Sequence, residues 1–162
     1  MLLYLAVIIF GLMSMTFLGY FFHWIFHQKW SGRLNIAHKT HHNILYPPKD
    51  FVSDVYRNPK KDNTVYLFGL VFAPFILTAF FLTVFRIIPL GIGLIILGEM
   101  AIVGTVNNFL HDAFHLKNSF WHKFWFFPRL KRLHYNHHVR QNTNFGIFSF
   151  VWDRVFHTYN NK

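Results

Sequence analysis

Apolar residues along this chain gather into three long blocks rather than short alternating runs. They cover residues 1–22, "MLLYLAVIIFGLMSMTFLGYFF", residues 65–85, "VYLFGLVFAPFILTAFFLTVF", and residues 87–109, "IIPLGIGLIILGEMAIVGTVNNF". A helix needs about 20 apolar residues to cross a bilayer, so the pattern predicts three spanning helices. Pro74 in the second block is a kink that such helices tolerate. Only the short stretch "RIIPLG", residues 86–91, turns the chain between the second and third blocks, which therefore form a tight helical hairpin. The first block lacks a basic leader, is too long, and is not followed by a small-residue cleavage site, so it reads as a retained helix rather than a signal peptide. Between and after the blocks, "YPPKD" at 46–50 and "NPKKDN" at 58–63 read as turns. "SFWHKFWFF" at 119–127 is too short to cross. Its aromatic and basic mixture suits a helix at headgroup depth, ended by Pro128.

The expected architecture is all-α, one domain of residues 1–162. Spanning helices lie near residues 1–27, 65–85 and 87–115, and polar segments at 28–64 and 116–162 carry further helices. Composition supports a membrane protein: 14% of residues are charged, against about 25% in soluble domains. There is no cysteine, which excludes disulfides, thiolate metal sites and cysteine nucleophiles. Twelve histidines face six carboxylates, and Glu99 is the only glutamate. Bundle sites bridged by carboxylates need about four Glu, so any metal site here must be mostly imidazole.

The net charge of +10 raises the question of nucleic acid, but the basic residues sit in two polar segments beside apolar blocks, and no nucleic-acid partner is expected. Residues 28–64 hold seven Lys and Arg, residues 111–162 hold eight, and Arg86 is the sixteenth. With three crossings, fifteen fall on one side. The positive-inside rule makes that side cytoplasmic and puts the N-terminus outside. Ten of the histidines, clustered in four boxes, land on that same side, although they took no part in the assignment.

The boxes are His23 and His27; His38, His41 and His42; His111 and His115; and His134, His137 and His138. Residues three and four apart share a helix face, so each box aims two or three imidazoles in one direction if it is helical. Ten imidazoles exceed what one metal needs and could serve two ions with four or five nitrogens each. Imidazole alone suits Zn, Cu, Fe or Ni. His122 and His157 fit no box. Glu99, inside the third spanning block, is either a functional group or a protonated or snorkelling one. Asp112 could orient a ligand histidine, with Asn107 and Asn108 as further candidates. Asn144 and Asp153 read as hydrogen bonders that pack the tail. Phe17, Phe21, Phe72 and Phe109 are possible liners of a path from the bilayer, though lipid-facing or packing Phe is the commoner role.

The boxes "HWIFH", "HKTHH", "HDAFH" and "HYNHH", in that order, resemble the fatty acid hydroxylase / sterol desaturase superfamily of integral-membrane di-iron enzymes. "PRLKRLHYNHH" fits the lead into the last box, and "NFGIFSFVWDRVFHTY" resembles the family ending, with His157 where that ending usually has Gly. The resemblance runs from about residue 20 to the end; size and layout are also similar to bacterial carotenoid hydroxylases. It implies an O2-dependent, iron-requiring attack on a lipid C–H bond, with two iron ions (zinc could substitute in a purified sample). It carries ligand roles onto His23, His27, His38, His41, His42, His111, His115, His134, His137 and His138. Asp112, Asn108, Asn144 and Asp153 would stand behind them. The substrate would enter from the bilayer. No Gly-x-Gly-x-x-Gly fingerprint occurs, so electrons would come from an external donor of ferredoxin or cytochrome b5 type. A desaturase on the same site and a non-catalytic histidine-rich metal binder or transporter are the alternatives.

Overall fold

The computed structural model describes residues 1–57 and 64–162, with side chains for all of these except residues 64–68. Among the described residues, six α-helices run in the order α1 (Leu2–His27), α2 (Arg33–Thr40), α3 (Thr64–Val84), α4 (Leu90–Phe114), α5 (Phe127–Val139) and α6 (Val151–Val155). Among the described residues there is no β-strand, only an isolated bridge between Ser53 and Leu116. The turn expected at 58–63 lies outside the described residues. Helices α1 and α4 are long and apolar enough to cross a membrane, and α3 is apolar over Gly69–Val84. The three apolar blocks are thus three helices, two of which reach spanning length over the described residues.

Two glycines set how α1 meets α4. A β-carbon at Gly11 would collide with the Glu99 carboxylate, and one at Gly19 would stand 3.4 Å from the Asn107 amide nitrogen. Both pairs are 88 residues apart. A constant offset at two points means that the helices run parallel, in register. The same offset, carried one to two turns further, brings His23 level with His111 and His27 level with His115. Two histidine pairs that the sequence separates widely therefore end at one height. Enlarging Gly11 to Leu is expected to push α1 off Glu99 and lower stability by about 1–3 kcal/mol, read as an earlier unfolding midpoint in detergent.

Helix α3 returns alongside, with Phe22 of α1 edge-on to Phe72 and Phe75 at 5.3 and 5.8 Å between ring centroids. The hairpin from α3 to α4 turns at Arg86, whose φ is 57°. At the end where α1 and α4 both stop, α2 packs on α1 and α5 on α4.

Two local expectations are corrected. Residues 119–126 form only a 3-10 turn over Phe120–Lys123, and Phe127 already opens α5. Pro128 lies in the first turn of α5 and so helps to begin that helix rather than ending the preceding segment. The physical reason is that first-turn N–H groups have no partner within the helix, so proline loses nothing there. Behind this corner, Phe51, Leu110, Ala113, Phe114 and Phe127 form a buried apolar cluster.

Candidate metal centre

The four histidine boxes converge at the shared end of α1 and α4. Eight of the ten imidazoles are buried; His27 and His111 are partly exposed. They sort into two sets, each with donor atoms within 4.8 Å of one another: His23, His27, His38, His42 and His137 in the first, His41, His115, His134 and His138 in the second. The sets adjoin, with the His42 and His138 rings stacked at 3.9 Å.

Helix geometry explains the sorting. Residues four apart lie about 40° from each other around the axis, whereas adjacent residues differ by about 100°. His23 and His27, and His38 and His42, therefore share the first set, while His134 and His138 share the second. The remaining member of each triplet crosses over: His41 joins the second set and His137 the first. A triplet thus serves both sets instead of aiming one way. After Thr40 the chain widens into a π-helical turn, His41–Leu45, where the crossing occurs. His111 is four residues before His115, and its ring lies 4.7 Å from that of His41 and 4.9 Å from that of His134, though it is not among the four nitrogens of the second set.

In the first set the Nε2 atoms stand 2.9–3.2 Å apart in five pairs: His23–His38, His27–His38, His38–His42, His42–His137 and His27–His137. Hydrogen bonding cannot account for all five. His23 Nδ1 donates to Phe145 O at 2.6 Å and His137 Nδ1 to Thr143 O at 2.6 Å. Neutral rings protonated at Nδ1 have only a lone pair at Nε2. That leaves three rings with at most one Nε2 hydrogen each, so at least two contacts have no hydrogen bond and oppose either two lone pairs or two N–H groups. A cation at the centre removes the conflict. Bonds of about 2.1 Å to imidazole nitrogen give nitrogen–nitrogen edges of about 3.0 Å at right angles and about 3.4 Å in a tetrahedron. The observed separations are of the size expected for nitrogens that share one cation.

The second set shows the same design. His134 and His115 meet through Nε2 at 3.1 Å, and the buried Nε2 atoms of His41 and His138 have no hydrogen-bond partner. His138 Nδ1 donates to Tyr46 O at 2.8 Å and His115 Nδ1 to Phe51 O at 3.0 Å. Backbone bonds from Ser53 N to His115 O and from Lys117 N to Ser53 O pin the 46–53 segment beside the end of α4. Tyr46 is fully buried and stacks on His115 at 4.0 Å, and its hydroxyl accepts the Arg57 N–H.

Burial holds these imidazoles neutral. Loss of solvation, joined by repulsion among neighbouring rings, pushes His38, His41, His42, His134 and His137 well below the ordinary value of 6.5. His138 is pushed down to about 3, mainly by burial. Neutral imidazole is the metal-binding form, so both sets are prepared to take a cation.

The other candidates fall in several places. Asp112 Oδ1 is 3.8 Å from His111 Nδ1, longer than a hydrogen bond, and that buried oxygen has no hydrogen-bond partner. Asn107 and Asn108, with Phe72 and Phe109, line a cavity between α1, α3 and α4. Phe17 stacks on Phe21 and meets Trp152 edge-on, away from that cavity. Glu99 has neither oxygen bonded. His122 bonds the Ser119 backbone and hydroxyl and contacts Lys131, apart from both sets.

His157 is exposed and has φ 58° in the turn after α6, a conformation that costs an L-residue about 1–2 kcal/mol and glycine little. His157→Gly is expected to raise the unfolding midpoint by the equivalent of about 0.5–1 kcal/mol and leave metal content unchanged, as thermal melts and elemental analysis would show.

Sequence reasoning missed Tyr46, Tyr56, Phe51 and the carbonyls of residues 143 and 145. "YPPKD" signals a turn and nothing more, and a backbone acceptor has no residue signature.

Compared with known proteins, the family model for fatty acid hydroxylase matches residues 8–158, a stretch that contains all four boxes. No curated protein and no solved structure matches the chain.

Proposed function

The chain belongs to the fatty acid hydroxylase family, and from that premise we propose that it is a membrane-bound di-iron oxygenase that hydroxylates a lipid C–H bond with O2 and electrons from an external donor. Family membership carries oxidoreductase activity in general; the iron, the lipid and the donor are our reading. One observation carries it. A cavity of about 400 Å³ runs between α1, α3 and α4 and ends on His23, His38 and His111. Its flanks include Met15, Phe72, Ile76, Met100 and Val103, so it would take a hydrocarbon and turn water away. Asn107 and Asn108 stand toward the histidine end, where their amides would bind a polar atom of the lipid and fix which carbon faces the site.

Iron ions held by the two imidazole sets would supply activation of O2 and removal of hydrogen from the C–H bond. His111 would complete the second set as its fifth imidazole, since the other pairs spaced by four residues each stay in one set. The overall change balances as C–H, O2, two electrons and two protons giving C–OH and water. His27, the most accessible imidazole of the first set, lies near Lys39, and an acidic donor of ferredoxin or cytochrome b5 type would approach on that side. We place this end of the bundle on the cytoplasmic side, where the basic residues belong.

Lipid mass spectrometry of cells with and without the chain, with O2 uptake by the purified protein given a reductant, tests the proposal. A hydroxylated lipid that depends on the chain is the expected result. An alkene without an alcohol would mean a desaturase. Metal flux in proteoliposomes with no oxidised lipid would sink the enzyme reading.

A further inference from the structure

Four imidazoles are anchored through Nδ1 to backbone carbonyls, and they divide by set. His23 and His137, of the first set, hang from Phe145 O and Thr143 O. His115 and His138, of the second, hang from Phe51 O and Tyr46 O. Each set therefore has its own orienting segment: the 143–145 turn for one and the 46–51 segment for the other.

We propose that Asn144 and Asp153 are positioning residues for the first set alone, holding the 143–145 turn so that its two carbonyls keep His23 and His137 protonated at Nδ1 and aim their Nε2 lone pairs at a metal. The proposal rests on the metal reading above but not on the reaction or the lipid.

Asn144 stands between the two carbonyls with φ 55°, which asparagine tolerates better than most residues. Its side chain fixes that turn from both sides. Nδ2 donates to Leu133 O at 3.1 Å and Asn160 O at 2.6 Å, and Oδ1 accepts from Asn160 N at 2.8 Å. Its own N–H donates to Thr158 O at 2.9 Å.

Asp153 closes the other edge of the turn. Its Oδ1 accepts from Phe145 N at 2.7 Å and from the Thr158 hydroxyl at 2.8 Å, and Oδ2 accepts from Gly146 N at 2.8 Å. A β-carbon at Gly146 would collide with Ser149 O and stand 2.9 Å from Asp153 Oδ2, so glycine lets the carboxylate reach that N–H. Asn144 and Asp153 are both fully buried. Neither bonds a residue of the 46–51 segment in any of these contacts. Partners that orient a ligand histidine are worth about 10–100-fold in metal affinity.

The test uses the full-length chain in detergent, charged with Co2+ and then challenged with increasing chelator. Retained Co2+ and its d–d absorption are followed together. Wild type is expected to hold two Co2+. In Asp153→Asn and Asn144→Ala, half of the Co2+ should leave at about 10–100-fold lower chelator, taking its own part of the spectrum, while the other half stays as in wild type. Asn144→Gly keeps the left-handed backbone and removes only the side-chain bonds. It carries the same expectation if Asp153→Asn fails to fold.

Trp152→Phe breaks the tail's bond from Trp152 Nε1 to Thr16 Oγ1 without touching the turn, and should keep both ions. Equal weakening of both halves in the Asn144 variants overturns the proposal. So does wild-type retention in them, or a half-loss in Trp152→Phe. Wild type that takes up no Co2+ overturns the metal reading itself.

Discussion

Replacing His137 by alanine is expected to abolish turnover and to remove one of two metal ions per chain. Its Nε2 stands 3.1 Å from that of His27 and 3.2 Å from that of His42, so the substitution takes a corner out of the first set while leaving the four nitrogens of the second untouched. His138→Ala is the mirror case and empties the second set. A supporting partner of a ligand is already worth about 10–100-fold; loss of the ligand itself should exceed about 100-fold in rate. Elemental analysis on folded protein, beside product formation, separates the outcomes. Full activity in both variants, or unchanged metal content, would refute the assignment. His111→Ala is the informative contrast. Removing this partly exposed imidazole, whose ring lies beside three of the second set, should weaken the second ion without disturbing the first.

Acid is expected to destabilise the metal-free protein, beginning just below neutrality. His38, His41, His42, His134, His137 and His138 have folded-state values below 6.5 because burial disfavours the charged ring. The unfolded chain therefore binds more protons than the folded one in the window below 6.5, and stability falls as pH falls through it. The contribution of these groups is intact above 6.5. For His138 it goes on being lost down to about 3. Each histidine kept neutral costs up to about 1.4 kcal/mol per pH unit in that window. Unfolding midpoints in detergent at pH of about 7.5, 6.5 and 5.5 should step downward. A flat profile would mean that the rings are solvated and the sets open. With metal bound the fall should be steeper once protons compete for the same lone pairs.

The helices and the histidine boxes were legible because each rests on spacing. Apolar blocks of spanning length gave α1, α3 and α4 nearly to their ends. His23 and His27, like His134 and His138, stay together because a separation of four residues holds on any helix. The partition of each triplet was not legible. It depends on which donors the fold brings together from separate elements, a tertiary fact, and on a π-helical turn at His41 that no residue type announces. The start of α5 was misjudged because Pro128 both ends and begins helices, and only the neighbouring fold decides which. Asn144 and Asp153 were visible as polar residues in an apolar tail. What they hold is a pair of carbonyls, and carbonyls occur at every position.

The crossing of His41 and His137 has a mechanical consequence. The N-terminal half of the chain contributes four donors to the first set and lends a single ring to the second; the C-terminal half contributes three to the second and lends a single ring to the first. Each ion would act as a rivet driven through both halves. Binding that favours the assembled state stabilises it in proportion to the logarithm of metal concentration over its dissociation constant. Starvation for metal would therefore do more than silence such a protein: it would loosen the seam between its halves.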